Sequence, residues 1–218
     1  MPELTRSLIE DLPKSGPTDP IGFYRRPVVG WLYRERINLG LRLLPERRFG
    51  SLLEIGYGAG AVLLTLAKSV ERIHGIDLDA DPTEIERVLS ARGVPANLQR
   101  ASVYELPFED ASFDLTVSFS VFEHLHEYER ALGEVHRVLK PGGLFLLGMP
   151  AVNLMMEAGF RAIGFKGIED HHVTPPARVA QSFAKTGFRI AKQKDLVFPL
   201  PGIVLYYNWL LEKTSLSR

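Results

Sequence analysis

A short apolar segment followed by three alternating glycines constrains this chain more than any other feature of its sequence. Residues 52–55 are apolar except for Glu54, a pattern typical of a buried parallel strand, and Gly56, Gly58 and Gly60 follow at every second position. Glycines at this spacing predict a tight turn into the Ala- and Leu-rich helix that comes next. Because the first N–H groups of a helix have no partner within the helix, we expect this turn to bind a nucleotide.

Two nucleotide-binding patterns fit the stretch. In the dinucleotide pattern G-x-G-x-x-G/A, Ala61 takes the last position, and Asp77 lies about 20 residues downstream, where an acid binds a ribose. In the pattern E-x-G-x-G-x-G, Glu54 stands two residues before the first glycine and Gly60 is the third glycine. The first pattern predicts a nicotinamide-dependent oxidoreductase, so the choice between the two depends on the rest of the chain.

The composition restricts the classes of function. The chain has 218 residues, of which 45% are hydrophobic and 24% charged, as in an ordinary globular domain. Its 26 basic residues balance its 26 acidic ones, so we expect a small-molecule substrate and no nucleic acid. The absence of cysteine excludes disulfides, thiolate metal sites and cysteine nucleophiles. No signal peptide or membrane-spanning stretch is evident, so we expect no stable membrane insertion and a cytoplasmic location.

Strand and helix patterns alternate along most of the chain. Helices are predicted at 28–44, 61–69, 82–92, 128–139 and 175–186, and strands at 52–55, 72–77, 96–101, 112–120, 144–148 and 188–197. Residues 200–211 fit a last antiparallel strand better than a helix. This order predicts a doubly wound α/β fold with a mostly parallel, seven-stranded sheet and helices on both faces. We expect residues 1–48 to form an N-terminal helical cover of the same domain, 49–218 the cofactor-binding domain, and about 150–172 a lid after the fifth strand.

Five segments together resemble the motifs of the class I S-adenosylmethionine (SAM) methyltransferases, in particular those acting on small molecules and lipids. In order they are residues 53–60, 75–79, 106–114, 121–125 and 139–145. The resemblance covers about residues 50–150, and the dinucleotide pattern has no counterpart for the last three segments. It implies a Rossmann-like methyltransferase fold, SAM as cofactor and S-adenosylhomocysteine as product.

The resemblance also implies roles for individual residues. Gly56 and Gly58 would line the methionine half of SAM, and Asp77 would bind the ribose hydroxyls. Ser102 stands where many relatives carry an Asp that binds the adenine amino group, and Tyr57 replaces a small residue in the glycine motif. The full predicted cofactor set is Glu54, Gly56, Gly58, Gly60, Asp77, Leu78, Ser102, Val103, Ser118 and Phe119, with Leu78 and Val103 around adenine and Ser118 or Phe119 beside the sulfonium.

Histidines are the candidates for a general base. Methyl transfer from a sulfonium needs alignment of the reactants, and it needs a base only when the acceptor arrives protonated. His124 follows the fourth strand, and His171 and His172 follow the lid. His124 has a structural interpretation as an alternative. Adjacent residues on an extended chain point to opposite sides, so we expect one of His171 and His172 to face the acceptor and no metal to be bound. Glu123 is interpreted as an acid at a helix start.

The apolar residues of the lid and the tail favour a small apolar or aromatic acceptor, methylated at oxygen, nitrogen or carbon. Met155 and Phe160 are candidate lid residues, and Tyr24 is a candidate for closing over the cofactor; all three have an alternative interpretation as core. A SAM-binding protein without transferase activity is a second alternative to the methyltransferase, beside the oxidoreductase. The oligomeric state is left open.

Overall fold

A computed structural model describes residues 2–16, 19–151, 173–197 and 203–215 of the chain. The helices are Ile21–Tyr24 (α1), Pro27–Leu41 (α2), Ala61–Leu66 (α3), Pro82–Ser90 (α4), Tyr128–Val138 (α5) and Pro176–Ser182 (α6). The strands are Phe49–Ile55 (β1), Val70–Asp77 (β2), Asn97–Arg100 (β3), Phe113–Phe119 (β4), Leu139–Pro150 (β5), Phe188–Gln193 (β6), Leu196–Val197 (β7) and Val204–Lys213 (β8). Single 3-10 turns lie at Ser7–Ile9, Ala67–Ser69, Phe122–His124 and Ala184–Thr186.

The strands form one mixed sheet in the order β3-β2-β1-β4-β5-β8-β6. The first five strands of this order are parallel, and β8 runs antiparallel between β5 and β6. The two-residue strand β7 pairs with the start of β8. The predicted doubly wound, mostly parallel fold is confirmed, and so is the strand predicted in the tail.

Helices cover both faces of this sheet, and side chains of β1 point into a hydrophobic core on each face. Leu52 packs with the apolar residues of α2, α3 and α4, whereas Leu53 and Ile55 pack with those of α5 and α6. The N-terminal residues Leu4 and Ile9 are buried in the same core as Leu52.

Most predicted boundaries differ from the observed ones by a few residues, and two predicted strands differ in a way that changes the pairing. The strand predicted at 144–148 begins at Leu139, because Leu139 already pairs with Phe113 and the next pair along β4 is Leu115 with Leu144. The residues between these pairs form a bulge within the strand, where a turn was expected. The strand predicted at 188–197 is divided into β6 and β7, since the pairing with β8 shifts register there.

The predicted lid lies almost wholly outside the described residues, which resume at Val173. Met155, Phe160, His171 and His172, for which roles in the lid and the acceptor site were predicted, lie outside the described residues as well. Among the helices that the structure describes, none has the length and apolar character needed to cross a bilayer.

Candidate functional site

The carboxyl ends of four parallel strands meet at the place where the strand order reverses. The chain runs outward from β1 through β2 to β3 and then returns to β4 on the other side of β1. Ile55 pairs with Ser118, the Gly56 N–H donates to the Ile76 carbonyl at 2.8 Å, and the Ala101 N–H donates to the Asp77 carbonyl at 3.2 Å. In open α/β sheets this switch point is where ligands bind.

The turn after β1 depends on its glycines. Gly56, Gly58 and Gly60 have φ values of 77°, 47° and 78°, in the left-handed region that side chains with a Cβ disfavour. A Cβ on Gly56 would also overlap the Val121 side chain, which follows β4. The sequence therefore brings the loops after β1 and β4 into direct contact at the switch point.

Asp77 ties this turn to the end of β2. One carboxylate oxygen accepts from the Gly58 N–H at 2.9 Å, and the other accepts from the N–H groups of Asp79 and Ala80 at 2.8 and 3.0 Å. The carboxylate is partly exposed at the switch point. It thus stands where the ribose-binding acid was predicted, and it also orders the glycine turn.

Glu54 is a buried acid behind the turn. It is only 3% exposed, and burial, reinforced by the charge of Asp77, raises its pKa well above the usual range, while the Leu63 N–H opposes this rise. Its Oε2 atom has no hydrogen-bond partner among the described residues. A buried carboxyl oxygen without a partner is costly, so this position fits a ligand that brings hydrogen-bond donors such as an ammonium group.

The remaining predicted cofactor residues differ in burial and in the hydrogen bonds that they already make within the protein. Val103 is buried beside Ile55 and Ile76, while Leu78 is 64% exposed at the same edge of the sheet. The Ser102 hydroxyl accepts from the Tyr104 N–H at 3.2 Å. Ser118 and Phe119 lie at the end of β4. The Ser118 hydroxyl donates to the Ile55 carbonyl, and the Phe119 ring packs over Gly40 and Gly148.

Two aromatic residues lie inward rather than over the turn. Tyr57 is buried, and its ring packs against Gly75 in β2, where a Cβ would lie 2.8 Å from the ring. Tyr24 is buried against Tyr33, with their ring centroids 5.4 Å apart.

The loop after β4 places a buried acid next to an exposed histidine. His124 lies in the turn Phe122–His124 with its side chain 46% exposed, and its Nε2 is 3.9 Å from Oε1 of Glu123. Glu123 is 1% exposed, and burial raises its pKa to about 8, although its own backbone N–H and Arg36 act in the other direction. Its Oε2 has no hydrogen-bond partner in the described structure. Glu123 thus lies in the first turn of a 3-10 helix, as interpreted from the sequence, but it is buried there.

Sequence reasoning also missed Arg36 of α2. Its guanidinium donates to the Tyr24 hydroxyl at 3.1 Å and lies 4.4 Å from the Tyr33 ring and 5.1 Å from the Tyr206 ring. The Tyr206 hydroxyl shares a 2.9 Å hydrogen bond with Ser120, at the end of β4. The sequence offered one indication that Arg36 is buried, because this charged residue lies beside the apolar stripe of Tyr33, Ile37 and Leu41 on α2.

Comparison with known proteins agrees with this geometry. Residues 53–147 match the protein-family model described as a methyltransferase domain. The chain is 34% identical over 122 residues to a demethylmenaquinone methyltransferase of Thermus thermophilus, covering 54% of this chain and 53% of that protein. It is 38% identical over 113 residues to a ubiquinone/menaquinone biosynthesis C-methyltransferase of Brucella anthropi, covering 48% of this chain and 42% of that protein.

Solved structures share the fold at low sequence identity. The [4+2]-cyclase SpnF superposes with a TM-score of 0.70 at 17% identity, covering 97% of this chain and 91% of SpnF. The chain spans only about half the length of the two curated relatives. The motif segments from residue 53 to 147, the switch-point geometry and the family match all agree, and they decide against the dinucleotide pattern. The chain therefore carries a class I S-adenosylmethionine-dependent methyltransferase domain.

Proposed function

We propose that this protein transfers the methyl group of SAM to a small, apolar, ring-containing acceptor and releases S-adenosylhomocysteine. The observation that carries the proposal is the turn after β1, where three left-handed glycines and the Asp77 carboxylate meet inside the segment that matches the methyltransferase family. Left-handed glycines leave the backbone open to close approach by a ligand.

The residues present fit the cofactor. Glu54 has an unpartnered carboxyl oxygen for the ammonium group, and the turn at Gly56 and Gly58 would receive the methionine half. Asp77 would bind the ribose hydroxyls in addition to its backbone partners, and Val103 and Leu78 would lie on either side of adenine. The bound cofactor supplies a methyl group on a sulfonium, which is already activated. The contribution of the chain is then mainly to hold the acceptor in line with that methyl group and to exclude water.

The acceptor class rests on two observations. The named relatives act, by their names, in quinone biosynthesis, and one of them is a C-methyltransferase. In this chain the rings of Tyr24, Tyr33 and Tyr206 surround the guanidinium of Arg36, and the Tyr206 hydroxyl shares a hydrogen bond with Ser120 at the start of the loop after β4. Aromatic side chains around a site favour a flat apolar ring as acceptor. Since one of the relatives is named a C-methyltransferase, we propose methylation at a ring carbon ahead of oxygen or nitrogen.

Calorimetric titration of the purified protein with SAM, S-adenosylhomocysteine and NAD tests the cofactor. We expect micromolar binding of the first two and none of NAD, whereas binding of NAD alone would overturn the assignment. Transfer of a tritiated methyl group to reduced naphthoquinones that lack the ring methyl then tests the acceptor, with a sterol as comparison. A protein that binds SAM but forms no S-adenosylhomocysteine with any acceptor would be a SAM-binding protein without transferase activity.

A further inference from the structure

Arg36, Ser120, Glu123 and Tyr206 form a polar cluster, here called the β4 cluster, and none of them belongs to the predicted cofactor set. Ser120 and Glu123 follow β4, and Tyr206 pairs with Pro150 at the end of β5. The cluster therefore lies at the same edge of the sheet as the glycine turn.

Contacts and backbone conformation hold the cluster in place. Ser120 has a left-handed φ of 57°, and its N–H donates to the Gly148 carbonyl at 2.9 Å. A non-glycine residue in this conformation is strained, and such strain concentrates at functional sites. The Glu123 carbonyl accepts from the N–H groups of Val173 and Thr174 at 2.9 and 3.0 Å, which fixes the turn from the other side.

The cluster has unused hydrogen-bonding capacity. The buried Oε2 of Glu123 accepts no hydrogen bond, and the buried Nε of Arg36 donates none to the described residues. The side-chain contacts of Arg36 in the described part of the chain are with the tyrosines Tyr24, Tyr33 and Tyr206. A buried carboxyl oxygen and a buried N–H of a guanidinium that each lack a hydrogen-bond partner are costly unless a ligand satisfies them.

Resting on the proposed function, we propose that the β4 cluster is the acceptor's oxygen subsite, where Glu123 accepts the proton of a phenol or enol hydroxyl and Arg36 and Tyr206 hold the oxyanion that forms. A hydroxyl that is weakly acidic and still protonated at neutral pH fits both unpaired atoms, Oε2 of Glu123 and Nε of Arg36. It donates its proton to the carboxylate, and the resulting negative charge pairs with the guanidinium.

The electrostatics favour a phenol or enol over a carboxylic acid. Burial raises the pKa of Glu123 to about 8, nearer to that of a phenol than an ordinary glutamate lies, so proton transfer to its carboxylate form is less unfavourable. Because that form predominates only above this pH, we expect the proton transfer to be favoured under mildly alkaline conditions. The charged or titratable groups that face Glu123 are Arg36 from α2, Tyr206 from β8 and His124 from its own turn. A carboxylic acid is already ionised at neutral pH and needs no base.

The reaction that follows is balanced without a further reactant. The O–H bond of the acceptor breaks and its proton goes to Glu123, leaving the electron pair on the acceptor. That pair, delocalised onto the ring carbon next to the oxygen, forms the new bond to the methyl carbon. The carbon–sulfur bond breaks with its electrons remaining on sulfur. The ring proton then goes to solvent water, which restores the aromatic system as a phenolate. The proton held by Glu123 returns to that oxygen, so the product is the methylated phenol and Glu123 is again a carboxylate.

Binding of 2-naphthol to the protein saturated with S-adenosylhomocysteine tests the subsite, because absorbance distinguishes bound naphthol from bound naphtholate. We expect 2-naphthol to bind at least about tenfold more tightly than 2-methoxynaphthalene, which has the same shape and no acidic proton. We also expect the apparent pKa of bound 2-naphthol to depend on both charges, because the guanidinium of Arg36 lowers this pKa and the carboxylate of Glu123 raises it. The ionisation readout responds to charge and proton transfer, which a merely structural role of Glu123 would not alter.

Substitutions locate the effect. Glu123→Gln is isosteric and removes the negative charge beside the naphthol oxygen, so it should lower the apparent pKa of bound 2-naphthol by about one unit, a tenfold change in ionisation. Tyr206→Phe removes a donor to the oxyanion and should raise that pKa. Glu127→Gln, at an exposed carboxylate of the same loop, is the matched control and should leave the pKa unchanged. Unchanged affinity for S-adenosylhomocysteine shows that each variant is folded.

The proposal is overturned if neither probe binds, if the ether binds as tightly as 2-naphthol, or if Glu123→Gln leaves the apparent pKa of bound 2-naphthol unchanged. These results are distinct from failure of the proposed function, since that failure appears already as absence of S-adenosylhomocysteine binding.

Discussion

At the scale of single residues, Asp77 gives the most direct test of the cofactor site. Asp77→Ala removes the predicted ribose acceptor and three hydrogen bonds to backbone N–H groups. We expect SAM binding to weaken by about 1–3 kcal/mol, the range for losing a charged hydrogen bond whose partners stay buried. Calorimetry measures this, and Asp79→Ala, at an exposed neighbouring position, is the control. A folded Asp77→Ala variant that binds SAM as tightly as wild type would show that Asp77 does not bind the ribose.

Gly56 allows the cost of a close contact to be separated from the cost of a backbone conformation. Gly56 and Gly93 have similar φ values, 77° and 73°, but a Cβ would overlap Val121 at Gly56 and meets nothing within 4 Å at Gly93. Gly93→Ala should therefore cost about 1 kcal/mol of unfolding free energy, the penalty of the left-handed conformation alone. Gly56→Ala should cost about 1–3 kcal/mol more and weaken SAM binding.

Urea denaturation measures both variants. Adding Val121→Ala to Gly56→Ala should recover part of the loss, because it removes the methyl groups that the new Cβ meets. Equal losses at the two glycines would mean that the loops after β1 and β4 are not in contact.

At the scale of elements, Arg137 joins helix α5 to the loop that precedes β4. Its guanidinium donates to the carbonyls of Leu106 and Phe108 at 2.9 and 2.7 Å and to both carboxylate oxygens of Glu134 at 2.8 Å. We expect Arg137→Ala to lower the free energy of unfolding by about 1.5–3 kcal/mol, measured in urea at pH 7. Arg130→Ala, which breaks an exposed pair with Glu127 on the same helix, should cost about 0.5 kcal/mol or less.

The pH dependence of this loss follows from Glu134. Its hydrogen bond with Arg137 is the main cause that lowers the pKa of Glu134, so the pair stabilises the fold fully above the unfolded pKa of about 4.5. The stabilisation is lost as the pH falls through the lower, folded value. The difference between wild type and Arg137→Ala should therefore shrink when the urea measurement is repeated below pH 4. A difference that is constant with pH would mean that packing of the Arg137 side chain, and not its charge, joins the two elements.

The elements themselves were largely predictable, because the central strands β1, β4 and β5 are rich in apolar residues and helices such as α5 carry them at a regular period. The bulge between Leu139 and Leu144 was not, since Pro-Gly-Gly has the local chemistry of a turn and only pairing with Phe113 keeps it in the strand. The positions of Gly56 and Asp77 followed from spacing. The burial of Glu123 and Arg36 did not, because it arises where α2 and β8, far apart in sequence, meet the loop after β4.

At the scale of the whole molecule, two buried acids with unpartnered oxygens lie on neighbouring strands or the loops that follow them. Glu54 lies on β1 behind the glycine turn, and Glu123 lies in the loop after β4, which contacts that turn through Val121. Since β1 and β4 are adjacent at the reversal of the strand order, one edge of the sheet supplies both groups. The proposed division of roles, with Glu54 toward the cofactor and Glu123 toward the acceptor, thus follows the topology.

The N-terminal segment is predicted to be part of the same cooperative unit as the sheet. Ile9 is fully buried in the core that contains Leu52, so Ile9→Ala should cost about 2–5 kcal/mol. In a Trp31→Phe background, Trp209 is the only tryptophan, and it lies buried in the core on the opposite face of the sheet. The urea midpoint reported by Trp209 fluorescence should shift together with that from circular dichroism, whereas the exposed-site control Glu10→Ala should shift neither. If residues 1–48 formed a separate unit, Ile9→Ala would leave the Trp209 midpoint unchanged, because the sheet would unfold independently of its cover.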